Sequence, residues 1–374
     1  MSGFKLSADQ KTLLGYEGTC PEEIVIPDGV KEISGLIEYS AEGAFTKCSS
    51  LTSVTLPEGL TTLGDGTFQD CTSLTSIDLP DTLTSLGLSC FRGCTSLKEI
   101  TLPPNLTEIP GEEDVELRGA FTNCTSLTTI NFPSGLTTIG DCAFSGCSSL
   151  SSITIPDSVT EIGHSVFRFC NSLKEVKLPN GLKDISCSVF SGCTSLEEIV
   201  IPDSVQKIYG GSGDGIWGAF YGCSSLKSIK LPSELTHLGG YTFTDCSSLK
   251  TIEFPSKLSL IEEYAFSGCS SLRTITFTGD APMFYNDVFE NVVASVYYPI
   301  NNETWTGSVM KNYGGTITWI AACTAHTFGE PVYTWSDDFA ECTAARTCTY
   351  SECTKKETET VNSTVTTQEA TCVE

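Results

Sequence analysis

One pattern of apolar and polar positions recurs along most of the chain. The segment TKCSSLTSVTLPEGLTTLGDGTF aligns with QDCTSLTSIDLPDTLTSLGLSCF, and both reduce to F-x-x-C-x-S-L-x-x-I-x-L-P-x-x-L-x-x-I-G-x-x-A. The anchoring cysteines are Cys48, Cys71, Cys94, Cys124, Cys147, Cys170, Cys193, Cys223, Cys246 and Cys269, spaced 23, 23, 30, 23, 23, 23, 30, 23 and 23 residues apart. A phenylalanine keeps step three residues before each, and Phe289 continues the beat where Val292 replaces the cysteine. A fixed period of this length marks a solenoid.

Inside one unit, L-T-S-I-D-L-P alternates with period two. Ile77 and Leu79 point inward, Ser76 and Asp78 outward, which predicts a short strand. Pro80 ends it, because proline cannot donate to a ladder. L-T-S-L-G then turns the chain, with Leu83 and Leu86 inside and Gly87 giving the bend. The Phe–Cys segment reads as a return arc with a short helical turn. No unit buries its apolar edge alone, so neighbours must stack Leu on Leu and Phe on Phe. Eleven or so units at one strand spacing each give a rod on the order of 50 Å long.

The repeated C-x-S-L-x-x-I-x-L-P-x-x-L-x-x-I-G-x-x-A-F over about residues 20–290 resembles the BspA-like (treponemal type) leucine-rich repeat family. The resemblance implies a right-handed solenoid, mostly β with short helical turns, with parallel strands on its concave face. Members are mostly secreted or cell-wall-linked bacterial surface proteins, with relatives in some protozoan parasites. Adhesion or protein binding is therefore implied, without catalysis, and the family supplies no fixed binding residues.

Three domains are expected. Residues 1–290 hold an N-terminal half-unit and the repeats; KTLLGY reads as a strand of an N-terminal cap. Residues 291–320 are rich in apolar and aromatic side chains and read as a C-terminal cap, with strands at Val296–Tyr298 and TITWI, a short helix in WTGSVMKNYG, and Trp305, Tyr313 and Trp319 in its core. Residues 321–374 are Thr- and Cys-rich. VYTWS, CTAARTCTY and ETETV alternate as edge-type strands, and the segment resembles the small β modules that follow leucine-rich repeats in some bacterial surface proteins. The abrupt ending predicts a piece of a longer protein, with a signal peptide upstream and further modules downstream.

Departures from the beat are the first candidate sites. From Pro to Phe is 11 residues in a regular unit, but 18 in Pro27–Phe45, Pro103–Phe121 and Pro202–Phe220. All three insertions fall at one point of the unit and must emerge on one side. The second gathers Glu112, Glu113, Asp114 and Glu116; the third sets Tyr209 and Trp217 among glycines. These are candidate partner contacts, with tolerated loop variation as the plainer alternative. The second surface is the strand face, where Asp78, Glu99, Asn131, Lys177 and Lys230 point outward. It is small, polar and almost free of aromatics, so a solvated sheet face and weak multivalent binding both stay open.

Composition narrows the chemistry. With 46 acids against 21 bases the net charge is −25, which argues against nucleic acid or an anionic membrane as the main partner. Charged residues are 18% and apolar residues 40%, a folded protein and not an acidic disordered one. No stretch of 18 apolar residues occurs, so no transmembrane helix is predicted. His164, His237 and His326 are the three histidines, too few for a His-rich metal site. Of 19 cysteines, ten keep the beat and read as an internal column of small hydrophobes whose weak S–H donors reach turn carbonyls. Cys90/Cys94, Cys142/Cys147 and Cys187/Cys193 are close pairs read as packing. For Cys342, Cys348, Cys353 and Cys372 in the tail, free thiols, a disulfide and a zinc site with His326 all stay open. Gly213, Gly215 and Gly218 fit G-x-G-x-x-G, but inside a repeat insertion and not a βαβ unit, which removes nucleotide binding. The acidic loop Glu112–Asp114 is at most a weak calcium ligand. Asn105-Leu-Thr107 and Asn123-Cys-Thr125 are glycosylation sequons, meaningful only in a eukaryotic secretory host. No catalytic motif, metal site or cofactor site emerges. The expectation is a monomeric, non-catalytic cell-surface or secreted protein that binds an extracellular protein or matrix ligand. The alternatives are a spacer or stalk in a larger surface protein, or the non-catalytic module of a surface enzyme.

Overall fold

The computed structural model describes residues 3–35, 43–112, 118–211, 217–322, 330–336, 341–347 and 356–362. Each repeat contributes one rung to a stack of parallel strands. The predicted strand is present in most units, for example Glu99–Thr101 beside Thr129–Asn131, Ser152–Thr154 beside Glu175–Lys177, and Glu198–Val200 beside Ser228–Lys230. Its central Ile or Val faces inward and its two neighbours face solvent, as the alternation requires. One unit departs. Residues 76–78 keep the alternation, with Ile77 buried and Asp78 exposed, but they form no strand. The rung-to-rung bonds there are stretched, Thr75 N to Thr52 O at 3.4 Å and Lys98 N to Thr75 O at 3.3 Å, and the ladder is interrupted.

The L-x-x-I-G segment is more than a turn. Its last residues form a second parallel ladder of two-residue rungs, such as Thr62–Leu63 on Ser85–Leu86 and Lys207–Ile208 on His237–Leu238. Proline closes the corner between the ladders with a turn: Leu83 N donates to Pro80 O at 2.9 Å, and the other units repeat it. Gly87 does not supply the bend through a left-handed backbone. It is needed because a Cβ there would fall on the backbone of Gly64 and Asp65 in the previous rung.

The return arc is not helical, and no helix occurs among the described residues. Cys71 N donates to Phe68 O and Leu74 N to Cys71 O, both at 3.1 Å, giving isolated turns. The residue before each column cysteine is left-handed: Lys47, Asp70, Gly93, Asn123, Gly146, Phe169, Gly192, Gly222, Asp245 and Gly268, with Asn291 before Val292. A left-handed residue cannot continue a right-handed helix. Glycine, Asn or Asp fills nine of these eleven places, as that conformation prefers.

Two columns run through the core, beside stacked Leu, Ile and Val side chains. Phenylalanine rings from Phe45 to Phe289 stack rung on rung at 5.3–5.9 Å, and backbone bonds such as Phe144 N to Val166 O at 3.0 Å tie the arcs together. Beside them, the thiols of Cys71 through Cys269 each donate to the carbonyl of the preceding unit's phenylalanine at 3.0–3.3 Å. Cys48 leaves the column: it is bonded to Cys20 in a disulfide. No phenylalanine precedes Phe45 in the stack, so Cys48 has no equivalent carbonyl to reach, and Cys20 takes that place. Of the other close pairs, Cys90, Cys94, Cys147 and Cys193 form no disulfide.

Further strands flank the repeats at each end. Phe4–Leu6 pairs antiparallel with Thr12–Tyr16, and Tyr16 lies against Phe45 at 5.9 Å. At the other end Val293–Pro299 and Thr316–Ala322 extend the first ladder. Residues 305–314 are turns, not the expected short helix. Trp305 is buried and packs on Phe277 at 4.9 Å, Tyr313 packs on Phe284 at 4.8 Å, and Trp319 lies 5.7 Å from Trp305. Val332–Trp335, Glu341–Thr347 and Lys356–Asn362 form a three-stranded antiparallel sheet.

Candidate functional site

Every described side chain predicted for the strand face is exposed: Asp78, Glu99, Asn131, Lys177 and Lys230. The ladder fixes their relations. Val200 is paired with Lys230 and is 67% exposed, and Lys177 stands at the equivalent position of the preceding repeat. Asn131 lies next to Thr101 and donates Nδ2 to its Oγ1 at 3.0 Å. Glu99 shares that pair of strands, whereas Asp78 belongs to the interrupted rung and stands apart from the lysines.

Between Lys174 and Lys230 the face sinks into a depression of about 670 Å³. Its floor is Val176, Ile199 and Val200, and its rim is charged: Lys174, Glu175, Glu197, Glu198, Lys227 and Lys230. Lys227 pairs with Glu197 and holds that carboxyl below the usual carboxylate range. A neighbouring depression of about 620 Å³ continues past Lys230 to Glu253 and Thr278. The sequence reading missed Lys174, Glu197 and Lys227. They precede the outward pair by one residue, at the first x of S-L-x-x-I, and the same position gives Lys250 and Arg273 in the next units. Reading that position down the repeat is the signal that finds them.

The insertion side is divided. Glu113, Asp114 and Glu116 lie outside the described residues, as do Gly213 and Gly215. Glu112 is exposed at the base of the second insertion, where Arg118 pairs with it at 2.7 Å. Tyr209 and Trp217 flank the third. Trp217 is anchored by Ser188, whose Oγ donates to its carbonyl at 2.9 Å and accepts from its N–H at 3.0 Å. Its ring stacks on Tyr221 at 4.4 Å. Three phenylalanine rungs, Phe144, Phe167 and Phe190, separate the two insertions, so Glu112 and Trp217 are not brought together. Each insertion ends in Gly-Ala-Phe: Gly43, Gly119 and Gly218. Regular units are left-handed at this position, as at Ser89, Ser165 and Tyr264; these three glycines are not, and a Cβ on them would meet the next rung's backbone.

The column thiols are held protonated by burial, which pushes Cys71, Cys124, Cys170, Cys223 and Cys269 up to about 12. They are therefore poor nucleophiles and poor metal ligands. Among the described residues no group of three or more His, Cys, Asp or Glu side chains is arranged to hold a metal ion. Among them, too, no helix is long and apolar enough to cross a membrane. The tail residues His326, Cys348, Cys353 and Cys372 lie outside the described residues.

Comparison with known sequences and structures agrees with this architecture. The BspA type leucine rich repeat region matches in six copies, over residues 16–113, 118–212 and 217–313. A leucine-rich repeat protein from Bacteroides ovatus is 25% identical with a TM-score of 0.50, covering 85% of this chain and 97% of that one. A leucine rich cell surface protein from Faecalibacterium prausnitzii is 27% identical with a TM-score of 0.48, covering 73% and 86%. No curated protein sequence matches the chain.

Proposed function

The chain belongs to the BspA-type leucine-rich repeat family, and on that premise we propose that it is a non-catalytic surface or secreted protein that adheres to an extracellular protein or matrix ligand. The strand face carries the contact. The supporting observation is the depression between Lys174 and Lys230, where an apolar floor of Ile199 and Val200 lies inside a rim of both charge signs. An apolar centre with a polar rim is the anatomy of a protein interface. The rim's mixed charges orient a partner and set its on-rate, since exposed pairs add little affinity by themselves. Affinity comes from repetition. The same face continues over neighbouring rungs about 5 Å apart, so an extended partner makes several weak contacts that add through effective concentration. The protein acts as a monomer with no cofactor, and its acidic surface disfavours nucleic acid. Localisation at the cell surface is what the family resemblance implies.

The test is a binding screen of the full chain against immobilised extracellular-matrix and cell-surface proteins. Saturable capture by at least one of them, weakened by salt, supports the reading. No capture by any of them counts against it.

A further inference from the structure

A second surface lies at the corner after the second ladder, away from the strand face. Lys207, His237, Leu260 and Met283 share one ladder position on consecutive rungs. Two residues further along each rung stand Tyr209, Gly239, Glu262 and Tyr285. Tyr209 is 38% exposed and Tyr285 46%. Between them stand Gly239, buried against the backbone of Gly210, and the half-buried Glu262. Along one side run Tyr241 and Tyr264, stacked at 5.1 Å, preceded by the Trp217–Tyr221 pair one rung earlier. Gly218 abuts the backbone of Tyr241, and Tyr241 N donates to Glu263 O at 3.0 Å, so these rungs are contiguous. Four of the rings are half-buried and two exposed; none is lost in the core.

Carboxylates stand among these rings. Glu262 receives His237 Nε2 at 3.3 Å and the N–H of Gly240 at 3.0 Å, and Asp287 receives the Tyr264 hydroxyl at 3.5 Å. Each carboxylate has about four lone-pair sites, so both retain capacity to accept further donors. This mixture separates two kinds of ligand. A protein partner favours an interface centre depleted of charge. A sugar has apolar C–H faces that stack on aromatic rings and hydroxyls that donate to carboxylates, so rings interleaved with carboxylates suit it on both counts. The acidic surroundings repel a sulfated or uronic-acid chain. We propose that this corner, from Tyr209 to Tyr285, is a carbohydrate platform that takes a linear neutral glycan lying along the solenoid axis. The rungs advance by roughly the length of one sugar ring, about 5 Å, so successive sugars lie over successive rungs.

The test is native affinity electrophoresis of the full chain through gels containing a soluble β-glucan, a xylan, a galactomannan or a sulfated polysaccharide. Retardation by at least one neutral polysaccharide and not by the sulfated one is expected. Tyr241→Ala with Tyr264→Ala should weaken it at least tenfold. Tyr285→Ser and Glu262→Gln test the same surface from exposed or half-buried positions, so the result does not depend on one variant folding. Reversing the strand-face lysines should leave retardation unchanged, which separates this platform from the adhesive face. Migration unaffected by every neutral polysaccharide, retardation by the sulfated one alone, or retardation untouched by all three corner variants would overturn the assignment.

Discussion

Removing one ring from the middle of the phenylalanine column should break the solenoid's continuity. Phe144 has no exposed surface; it stacks on Phe121 at 5.3 Å and Phe167 at 5.9 Å, and meets the edge of Phe132 at 5.9 Å. A buried Phe→Ala change costs about 3–5 kcal/mol. Three ring contacts are lost together, each about 0.5–1.5 kcal/mol beyond area burial, and stiff neighbours on both rungs keep the cavity from collapsing. Phe144→Ala therefore belongs near the top of the range, about 4–5 kcal/mol, much of the roughly 5–15 kcal/mol that holds a typical domain. In a solenoid the loss falls on two inter-rung interfaces, and unfolding should separate into an N-terminal and a C-terminal step. Urea titration followed by hydrogen exchange resolves this, comparing amides near Leu63 with those near Ile261. A loss below about 1.5 kcal/mol with one unchanged transition would refute the stacked column as the source of stability.

Other outcomes follow from the same structure. Burial raises the column thiols, to about 12 at Cys124 and Cys170, while an unfolded cysteine titrates near 8.5. The folded state thus holds protons the unfolded state releases, so stability is fully present below about pH 8.5 and falls as pH rises toward 12; urea midpoints between pH 7 and 10 should show it, and a flat profile would refute it. Native protein should shield the eleven buried thiols from a thiol reagent at pH 8, all reacting after denaturation; fast native reaction of the column would contradict the burial. Cys20→Ser with Cys48→Ser opens a link across 28 residues and should cost about 3 kcal/mol, read as a lower thermal midpoint that reductant no longer changes. Gly140→Ala should destabilise by more than about 1 kcal/mol, because its Cβ would meet the Gly111 amide at 2.5 Å; an unchanged melting temperature would show that the rungs can part.

The architecture was legible because each rung repeats the same physical problem. Period-two alternation placed Ile100 and Ile153 inside their strands, and the Phe–Cys spacing located both columns. The second ladder escaped, since two residues such as Thr62–Leu63 are too short for any periodicity to show. Helical turns were expected where Phe and Cys are three apart. The left-handed residue between them, Asp70 or Gly93, excludes that, and its Gly, Asn or Asp identity was the available clue. Cys48 looked like nine other cysteines, and only the absence of a preceding phenylalanine carbonyl sets it apart. For the candidate site, the exposed pairs of the strand face were readable. Lys174 and Lys227 were not, because they lie one residue outside the alternating core of the strand. The aromatic corner from Tyr209 to Tyr285 was hidden for another reason: its rings come from different positions of successive units, so only folding brings them together.

Adhesion through the strand face is tested most directly by binding kinetics of one charge-reversed variant, Lys174→Glu with Lys227→Glu and Lys230→Glu, on a matrix protein captured in the screen. These side chains are exposed, so the thermal midpoint should stay within a few degrees of the parent. The account predicts a Kd at least tenfold weaker, expressed in both a slower on-rate and a shallower salt dependence. Unchanged affinity in a folded variant would contradict it.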